Sequence, residues 1–460
     1  MRGTMTGART RAMIETTSST ISGTKSGTES GTKSDTTADT VSGTKSDTTA
    51  DTVSGTISGT KSGTKSDTIA GTMAAPSSAA ATAEQHTGVT ADRRPVWLEV
   101  HEDHIGANLR MIKSRLPQET QFMAVVKADA YGHGLIASAN AVLKAGADQL
   151  AVSVLDEAVR LRQHGIEAPI LVLTPIRPQD INLAIHHRAA VPVFQAEWLA
   201  EAMRYKMTAG KLSVHIKMDT GMGRIGLRER EEFERMVPLL RSGAYSVEGV
   251  YTHLATADHH DMAYYSRQLM RFYEMRRWVG DSGFRGVVAH CANSAAAMRF
   301  PQLAMDMVRV GAALHGVYPY GEDVRREVGI ELKPTISLHA EIVHVKKVPA
   351  GSYVGYDNSY QAAADEWIAT IPVGYADGYF RSLKHFHVLV EGKKAPIAGN
   401  VCMDQLMIRL PHRCTVGTKV TLLGRQGDRE ITVQQMADYI GTIPQEILTH
   451  LSARVPRCSK

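Results

Sequence analysis

A regular alternation of short apolar runs with stretches of helical periodicity is the feature that most constrains how this chain can fold. Between the runs, apolar residues recur at helical spacing, as at Ile105, Leu109, Ile112 and Leu116. Alternating strands and helices over about 230 residues predict a parallel barrel of the (β/α)8 type. The runs that we interpret as strands cover residues 97–100, 124–126, 150–154, 169–173, 191–194, 213–218, 247–251 and 287–290.

The pattern changes on both sides of this region. From about Leu332 onward, short runs rich in Val, Ile and Thr are separated by Gly turns, which is typical of a mostly β domain. The predicted fold class is therefore α/β: a (β/α)8 TIM-like barrel followed by a mostly β C-terminal domain, with a disordered N-terminal tail. We expect the tail to cover residues 1–93, the barrel 94–330 and the β domain 331–460.

The N-terminal tail is of low complexity. Residues 30–41 read SGTKSDTTADTV and residues 42–53 repeat this sequence without change. A segment with so few large apolar residues cannot bury enough surface to offset its ordering entropy, so it is expected to be disordered, and its repeats cannot stack into a solenoid. We hypothesise that the tail is dispensable or reflects an over-extended translation start, which loss of activity on deleting residues 2–90 would contradict.

Composition excludes several classes of protein. The net charge of +5 comes without a basic block, so no nucleic-acid partner is expected. There is neither an apolar run of about 18 residues nor an apolar secretory leader, so no membrane association is expected. The four cysteines are too scattered for a disulfide framework or a zinc site. We expect reduced thiols, a cytoplasmic location and no metal.

A lysine at the end of one apolar run is the strongest candidate for chemistry. Residues 124–134 read AVVKADAYGHG, which places Lys127 at the carboxyl end of a strand, the face where barrels keep their active sites. Burial lowers the pKa of a lysine, so Lys127 is a candidate nucleophile toward an aldehyde cofactor. The alternative from this stretch alone is an edge lysine whose amine reaches solvent.

The segment AVVKADAYGHG closely resembles the pyridoxal phosphate attachment motif of bacterial alanine racemases, and the resemblance continues from about Arg94 to the C-terminus. It implies that Lys127 carries pyridoxal 5′-phosphate. Further motifs that resemble the family are KMDTGMGRIG (217–226), YTHLATAD (251–258), HCANSAA (290–296) and VRVGA (308–312). The cofactor-binding residues that the resemblance implies are Lys127, Tyr131, His253, Asn293, Ser294, Arg309, Gly311 and Ala312.

Arg309 has a specific implied role. In the family this arginine faces the pyridine nitrogen, where many pyridoxal enzymes place a carboxylate. Because arginine offers only donors, the ring nitrogen stays unprotonated, and this favours prompt return of a proton to Cα, hence racemisation.

Two basic residues of the motif KMDTGMGRIG, whose residues 219–226 form a glycine-rich loop, have implied roles in binding substrate. Arg224 matches the arginine that helps to hold the substrate carboxylate, and Lys217 matches a supporting lysine that is often carbamylated. Without the resemblance, the simpler interpretation is that Lys217 and Arg224 form ion pairs with acids such as Asp219.

Racemisation needs acid/base groups on both faces of the substrate. Lys127 can serve one face, and Tyr356, in the motif VGYDNSY (354–360), matches the second catalytic base of the family. By analogy Lys127 acts on the D-enantiomer and Tyr356 on the L-enantiomer, with His253 and Arg309 as nearby cations that favour the phenolate.

The resemblance also implies a homodimer with shared active sites. Tyr356, Tyr375 and Met403 reach the partner's cofactor in the family, with Tyr375 at the entrance and the backbone N–H of Met403 on the substrate carboxylate. Asp404 has a supporting role. The implied function is a two-base L-alanine and D-alanine interconversion that supplies D-alanine for peptidoglycan.

One departure from the family leaves the preferred amino acid substrate undecided. Several members carry a tyrosine where this chain has Ala453, so a serine or broad-spectrum amino acid racemase is an alternative. Basic amino acid decarboxylases share the architecture but lack the Tyr356 motif and place a carboxylate where Arg309 lies. A non-catalytic pyridoxal phosphate carrier would need no second base.

Overall fold

The computed structural model describes residues 94–460. The predicted tail, with its repeats, lies outside the described residues. The first nine strands are β1 (Val96–Val100), β2 (Gln121–Val125), β3 (Gln149–Val152), β4 (Ile170–Val172), β5 (Ala189–Val193), β6 (Leu212–Lys217), β7 (Tyr245–Tyr251), β8 (Val288–His290) and β9 (Met307–Val310).

Eight of these strands form the predicted barrel. Their order is β8-β7-β6-β5-β4-β3-β2-β9, and all seven neighbouring pairs are parallel. Two backbone hydrogen bonds bring the edge strands together: Asp306 N donates to Ala289 O (3.2 Å) and Arg309 N donates to Ala292 O (2.9 Å). The (β/α)8 prediction is confirmed, and the carboxyl ends of all eight strands share one face.

Helices cover the outside of the barrel, each with one buried apolar face. In the first, Ile105, Leu109 and Ile112 are buried, as their spacing predicts. The α-helices of this half are Glu102–Lys113, Leu135–Lys144, Leu155–Gln163, Ile181–His186, Ala196–Tyr205, Arg230–Leu240, Ala263–Asp281, Ser294–Arg299 and Glu322–Val328. Short 3-10 helices span Pro178–Asp180, Pro301–Leu303 and Ala312–His315.

Two strands differ from the sequence prediction. The run at 97–100 is a strand, but β1 lies outside the barrel and pairs antiparallel with Ile336–Glu341 of the C-terminal half. The eighth barrel strand is β9, which the sequence analysis treated only as part of a binding motif. Its four residues are too few to show a period, whereas its neighbours in space fix it as a strand.

The C-terminal half is mostly β, as predicted. Its strands are β10 (Ile336–Glu341), β11 (His344–Val348), β12 (Tyr353–Val354), β13 (Tyr360–Gln361), β14 (Glu366–Ile371), β15 (His387–Val390), β16 (Lys393–Pro396), β17 (Leu406–Leu410), β18 (Lys419–Gln426), β19 (Arg429–Ile431) and β20 (Arg457–Ser459). Two α-helices, Val433–Ile440 and Pro444–His450, and the 3-10 helices Tyr356–Asn358, Tyr375–Asp377 and Arg381–Leu383 complete it.

These strands form one large sheet and two small ones. The large sheet has the order β16-β15-β18-β10-β1-β20, with β19 paired to β18. Strands β11, β14 and β17 form a second sheet, and β12 and β13 form a hairpin. Since β20 pairs in parallel with β1, both ends of the described chain lie side by side in the large sheet.

Across residues 94–460, no helix combines the length and the apolar character needed to cross a membrane. All four cysteines, Cys291, Cys402, Cys414 and Cys458, are free thiols.

Candidate active site

Lys127 lies at the carboxyl face of the barrel, two residues beyond the end of β2. Its side chain is half-buried. Burial lowers the pKa of the Lys127 amine, the Arg224 charge lowers it further, and Glu157 opposes both effects. The strand-end placement predicted from the sequence is confirmed, and the environment favours a neutral, nucleophilic amine.

The backbone after Lys127 is a left-handed turn of residues 128–132, which we call the lysine turn. Residues 128–131 all have φ between 52° and 54°. This region costs L-residues roughly 1–2 kcal/mol each, so other contacts must hold the turn. Asp129 Oδ1 accepts a hydrogen bond from Leu135 N (2.9 Å), and Glu157 Oε1 accepts one from Asp129 N (3.3 Å).

Four hydrogen-bond donors converge beside this turn. Ser294 Oγ accepts hydrogen bonds from Gly311 N (3.1 Å) and Ala313 N (3.5 Å). A Cβ added at Gly311 would lie 2.5 Å from the Tyr131 hydroxyl, so this position needs glycine. Burial raises the pKa of Tyr131 to about 12, which keeps its O–H a donor. Since Ser294 Oγ accepts from both N–H groups, its own O–H, like that of Tyr131, is the donor available to an anion, and we call this cluster the anion cradle.

Asn293 and Ala312 stand next to this cradle. Asn293 caps the helix Ser294–Arg299, because its Oδ1 accepts a hydrogen bond from Ala296 N (3.1 Å), and its amide donates to Leu254 O (3.2 Å). Ala312 is buried. The Asn293 side chain therefore fixes the position of Ser294.

Arg309 is a buried cation bound mainly by neutral acceptors. Only 4% of it is exposed. It donates to Thr252 O (2.7 Å) and to His290 Nδ1 (3.0 Å), and its guanidinium lies 5.2 Å from the Tyr251 ring centroid. Burial lowers the pKa of Arg309, and no carboxylate among the described residues forms an ion pair with it.

Two buried histidines, His290 and His215, form a hydrogen-bonded chain with Arg309. Because His290 Nδ1 accepts from Arg309, its Nε2 carries the proton and donates to His215 Nδ1 (2.9 Å). Burial and the Arg309 charge lower the pKa of His215 to about 3 and that of His290 well below its ordinary value. Both rings are neutral.

His253 also lies against Arg309, with its Nδ1 3.4 Å from a guanidinium nitrogen. Burial, and then the charges of Arg309, Arg224 and the two lysines, lower the pKa of His253 to about 3. The expectation that His253 supplies a second positive charge is therefore wrong, since it is a neutral imidazole. Arg309 remains the buried cation.

Lys217 is 3% exposed and donates to the carbonyls of Met218 (2.6 Å) and Ile225 (3.1 Å). Burial, assisted by the Arg309 charge, lowers its pKa to about 7. Asp219 instead accepts from Gly221 N and Gly223 N and pairs with Arg228 (3.2 Å). The simpler sequence interpretation, in which Lys217 and Arg224 pair with acids such as Asp219, does not hold, because Arg228 is the residue that pairs with Asp219.

Arg224 is exposed on the glycine-rich loop. Its charge acts on Lys127, Lys217 and His253, so it lies on the same side of the barrel as the lysine turn.

Tyr356, Tyr375 and Met403 form a separate group in the C-terminal half. Two hydrogen bonds join their loops: Tyr375 N donates to Cys402 O (3.0 Å), and the side-chain amide of Asn400 donates to Tyr356 O (3.2 Å). Their side chains are 69%, 42% and 54% exposed, respectively. Large apolar side chains exposed together mark a surface for binding another molecule.

Asp404 accepts a hydrogen bond from Arg454 (2.7 Å), which also lies 3.7 Å from buried Asp377. Ala453, next to Arg454, is exposed.

Two residues that no motif in the sequence singled out, Glu157 and Arg457, support the site. Glu157 accepts from Ser153 N (2.8 Å) and Val154 N (3.3 Å), and a glutamate three residues after a helix N-cap is the signal that could have found it. Arg457 donates to Gly132 O (3.2 Å) in the lysine turn. No local signal predicts a contact between residues so distant in sequence.

The fold and this geometry define the class of the protein: a (β/α)8 barrel with a lysine and an anion cradle at its carboxyl face, followed by a mostly β half. Family models described as "Alanine racemase, N-terminal domain" and "Alanine racemase, C-terminal domain" match residues 100–319 and 335–459. The chain belongs to the alanine racemase family.

Individual proteins show the same likeness. An alanine racemase of Geobacillus kaustophilus is 49% identical over 365 residues, which cover 79% of this chain and 94% of the relative. The crystal structure of an alanine racemase from Bacillus anthracis with bound L-Ala-P is 44% identical, with a TM-score of 0.78 over 80% of this chain and 95% of that chain. A histidine racemase from Leuconostoc mesenteroides is 31% identical, with a TM-score of 0.74 over 80% and 98%.

Proposed function

We propose that this protein interconverts L-alanine and D-alanine by a two-base mechanism with pyridoxal 5′-phosphate. The observation that carries the proposal is that Lys127, with its lowered pKa, directly precedes the turn that carries Tyr131 of the anion cradle, in a chain of this family. We further propose that it acts in the cytoplasm, as its four free thiols favour, and supplies D-alanine for peptidoglycan.

The donor set fits the proposed cofactor. The Tyr131 and Ser294 hydroxyls would donate to a phosphate, the N–H groups of Gly311 and Ala313 orient the Ser294 hydroxyl, and a Cβ at Gly311 would lie against the Tyr131 hydroxyl. A phosphate held without a lysine leaves Lys127 free for the aldehyde. When bound, pyridoxal phosphate weakens the Cα–H bond of an amino acid attached to its aldehyde carbon.

Arg309 favours racemisation over other outcomes. If Arg309 faces the pyridine nitrogen, its N–H would donate a hydrogen bond to that nitrogen, and the nitrogen would stay unprotonated. Its neighbours His253 and His290 are neutral, and no carboxylate among the described residues pairs with Arg309, so this group of residues holds no anionic acceptor that would stabilise a protonated ring nitrogen. The negative charge left by removal of the Cα proton would then stay close to Cα, and this would favour rapid return of a proton to that carbon.

Proton transfer at Cα falls to Lys127 and Tyr356 from opposite faces. One removes the proton while the other delivers one, so the configuration inverts. Because Tyr356 is 69% exposed in a single chain, we propose that it serves the site of a partner subunit in a head-to-tail homodimer. Tyr375 would then line that site's entrance.

The substrate carboxylate is assigned to Arg224 and to the backbone N–H of Met403. Lys217 supports Arg224: its neutral amine can add to carbon dioxide, forming an N–C bond and releasing one proton to solvent. A pKa near 7 makes this reaction accessible, and the carbamate would be an anion beside Arg224.

The test is racemisation of a panel of L-amino acids, read by chiral chromatography, with Lys127→Ala as the inactive control. Rapid conversion of L-alanine that Lys127→Ala abolishes supports the proposal. No conversion of any amino acid by the wild-type protein would contradict it and would favour a cofactor carrier.

A serine or broad-spectrum racemase is the second candidate. Ala453 is small and exposed at the position where the family resemblance implies a tyrosine in several members, and a histidine racemase is similar in fold. If serine or larger amino acids compete with alanine within about tenfold in kcat/KM, this candidate replaces a strict alanine racemase.

A further inference from the structure

We propose that Arg457 is a positioning residue for Lys127: its guanidinium holds the left-handed lysine turn against the C-terminal segment, residues 451–457, and thereby joins it to the loops that carry Tyr375 and Met403. The catalytic meaning of this inference rests on the proposed racemase function. The physical connection does not, and it can be measured separately.

One guanidinium binds four backbone carbonyls. Arg457 Nε donates to Gly132 O (3.2 Å), Nη1 to Ser452 O (2.6 Å) and Val455 O (2.7 Å), and Nη2 to Leu451 O (2.7 Å). The three C-terminal carbonyls fix the plane of the fork, so its remaining N–H points at a fixed place. That place is the carbonyl oxygen of Gly132, at the end of the lysine turn.

Gly132 is the point where the two parts meet. Its N donates to Ala128 O (3.1 Å), which closes the turn, and its φ is 80°. A Cβ at this position would overlap Leu448 O of the helix Pro444–His450. Only glycine permits this approach, so the end of that helix packs directly on the end of the turn.

The other contacts reach the turn from different sides. Glu157 and Leu135 hold Asp129 from the barrel helices. His133 Nδ1–H donates to Tyr131 O (3.0 Å), and its Nε2 accepts from the Thr335 hydroxyl (2.8 Å). Arg457 supplies the support from the C-terminal segment. Without it the turn could shift, and a shift of the turn would displace both Lys127 and Tyr131.

The same segment continues to the loops proposed to serve the partner's site. Ser452 N donates to Asp377 O (3.0 Å), in the 3-10 helix that begins with Tyr375. Arg454 binds Asp404, the residue after Met403. The lysine turn of one site and the loops offered to the other therefore share one support.

The test compares Arg457→Lys with Arg162→Lys. Arg162 is a matched control, because it also donates to four carbonyls, those of Ile166, Ala168, His187 and Arg188, and it lies at the opposite end of the barrel strands. Both substitutions keep the charge and lose the planar fork. Amide hydrogen exchange in residues 126–134 and kcat/KM for alanine are measured for both variants.

We expect Arg457→Lys to accelerate exchange in residues 126–134 at least about tenfold and to lower kcat/KM about ten- to a hundredfold, while Arg162→Lys changes neither by more than about twofold. Equal exchange at the turn in both variants would overturn the proposal, as would fast exchange with unchanged kcat/KM. If wild-type protein racemises nothing, the proposed function fails, whereas the exchange comparison still decides the physical connection.

A measurement on the wild-type protein covers the case in which Arg457→Lys does not fold. In increasing, sub-denaturing urea, the amides of Gly132 and His133 should open together with those of Ser452 and Val455, at one shared free energy. Separate opening of the turn and the C-terminal segment would contradict the proposal.

Discussion

At the scale of single residues, burial decides which groups can act as bases and which as donors. It lowers the pKa of Lys127, lowers that of Lys217 to about 7, so that this amine loses its charge near neutral pH, and raises that of Tyr131, so that its hydroxyl stays protonated. The sequence predicted the identities of these residues through its motifs. It could not predict that His253 is neutral, because that depends first on burial and then on the charge of Arg309, which lies on a different strand.

Replacement of the second base gives the first prediction. Racemisation has an equilibrium constant of one, so Tyr356→Phe must slow net conversion equally in both directions, by about 10²–10⁴-fold. Solvent exchange at Cα separates the two bases. In deuterated water followed by NMR, the variant should exchange the Cα proton of D-alanine, through Lys127, but not that of L-alanine. Equal exchange from both enantiomers would contradict the assignment of Tyr356.

The substrate preference depends on one small residue. If Ala453 opens the pocket, Ala453→Tyr should lower the ratio of serine to alanine kcat/KM by about tenfold or more, because the larger side chain excludes the added hydroxymethyl group. The ratio is measured with both amino acids under identical conditions. A ratio unchanged by the substitution would show that Ala453 does not set specificity.

At the scale of elements, the left-handed turn is the part that local sequence could not predict. Residues 127–131 read KADAY, which has ordinary helix propensity, yet four of them adopt the left-handed region. The turn exists because Glu157, Arg457 and the capped helix Leu135–Lys144 hold it. Tertiary contacts overrule propensity here, as is common at functional sites.

The contribution of Glu157 can be measured against a matched control. Glu232 has the same capping geometry, accepting from Arg228 N (2.7 Å) and Glu229 N (3.0 Å), but it has no hydrogen bond to the lysine turn. Glu157→Ala should lower the free energy of unfolding by about 0.5–1.5 kcal/mol more than Glu232→Ala, since it also removes the hydrogen bond to Asp129 N in the lysine turn. Urea denaturation measures both values, and equal losses would rule out a special role for Glu157.

At the scale of the whole molecule, periodicity predicted the barrel and the mostly β half but not how they are joined. The strand at residues 97–100 precedes the barrel in sequence but lies between β10 and β20. Such pairing depends on residues more than 200 positions apart, which no local pattern records. As a result, the two halves share a sheet, and both ends of the described chain stabilise the C-terminal half.

Buried neutral histidines predict that the fold is sensitive to acid. The pKa of His133 is about 4 and that of His215 about 3, both because of burial, against about 6.5 in an unfolded chain. Their contribution to stability is therefore complete above pH 6.5 and is lost as the pH falls toward 4 and 3. At pH 5 each of the two histidines should have lowered the free energy of unfolding by about 2 kcal/mol relative to neutral pH.

Urea denaturation at fixed protein concentration between pH 7.5 and 5 measures this loss. His215→Gln should flatten the dependence, because glutamine takes up no proton. A wild-type stability that stays constant over this range would contradict the neutral assignment of these rings.

The central claim is that each active site takes Lys127 from one chain and Tyr356 from its partner. The most direct test mixes two inactive variants, Lys127→Ala and Tyr356→Phe, in equal amounts under conditions that exchange subunits. Half of the dimers then contain both variants, and one of their two sites has both native bases. The account predicts recovery of about a quarter of wild-type racemase activity. If each site is built from a single chain, mixing will restore nothing, and the shared-site dimer is wrong.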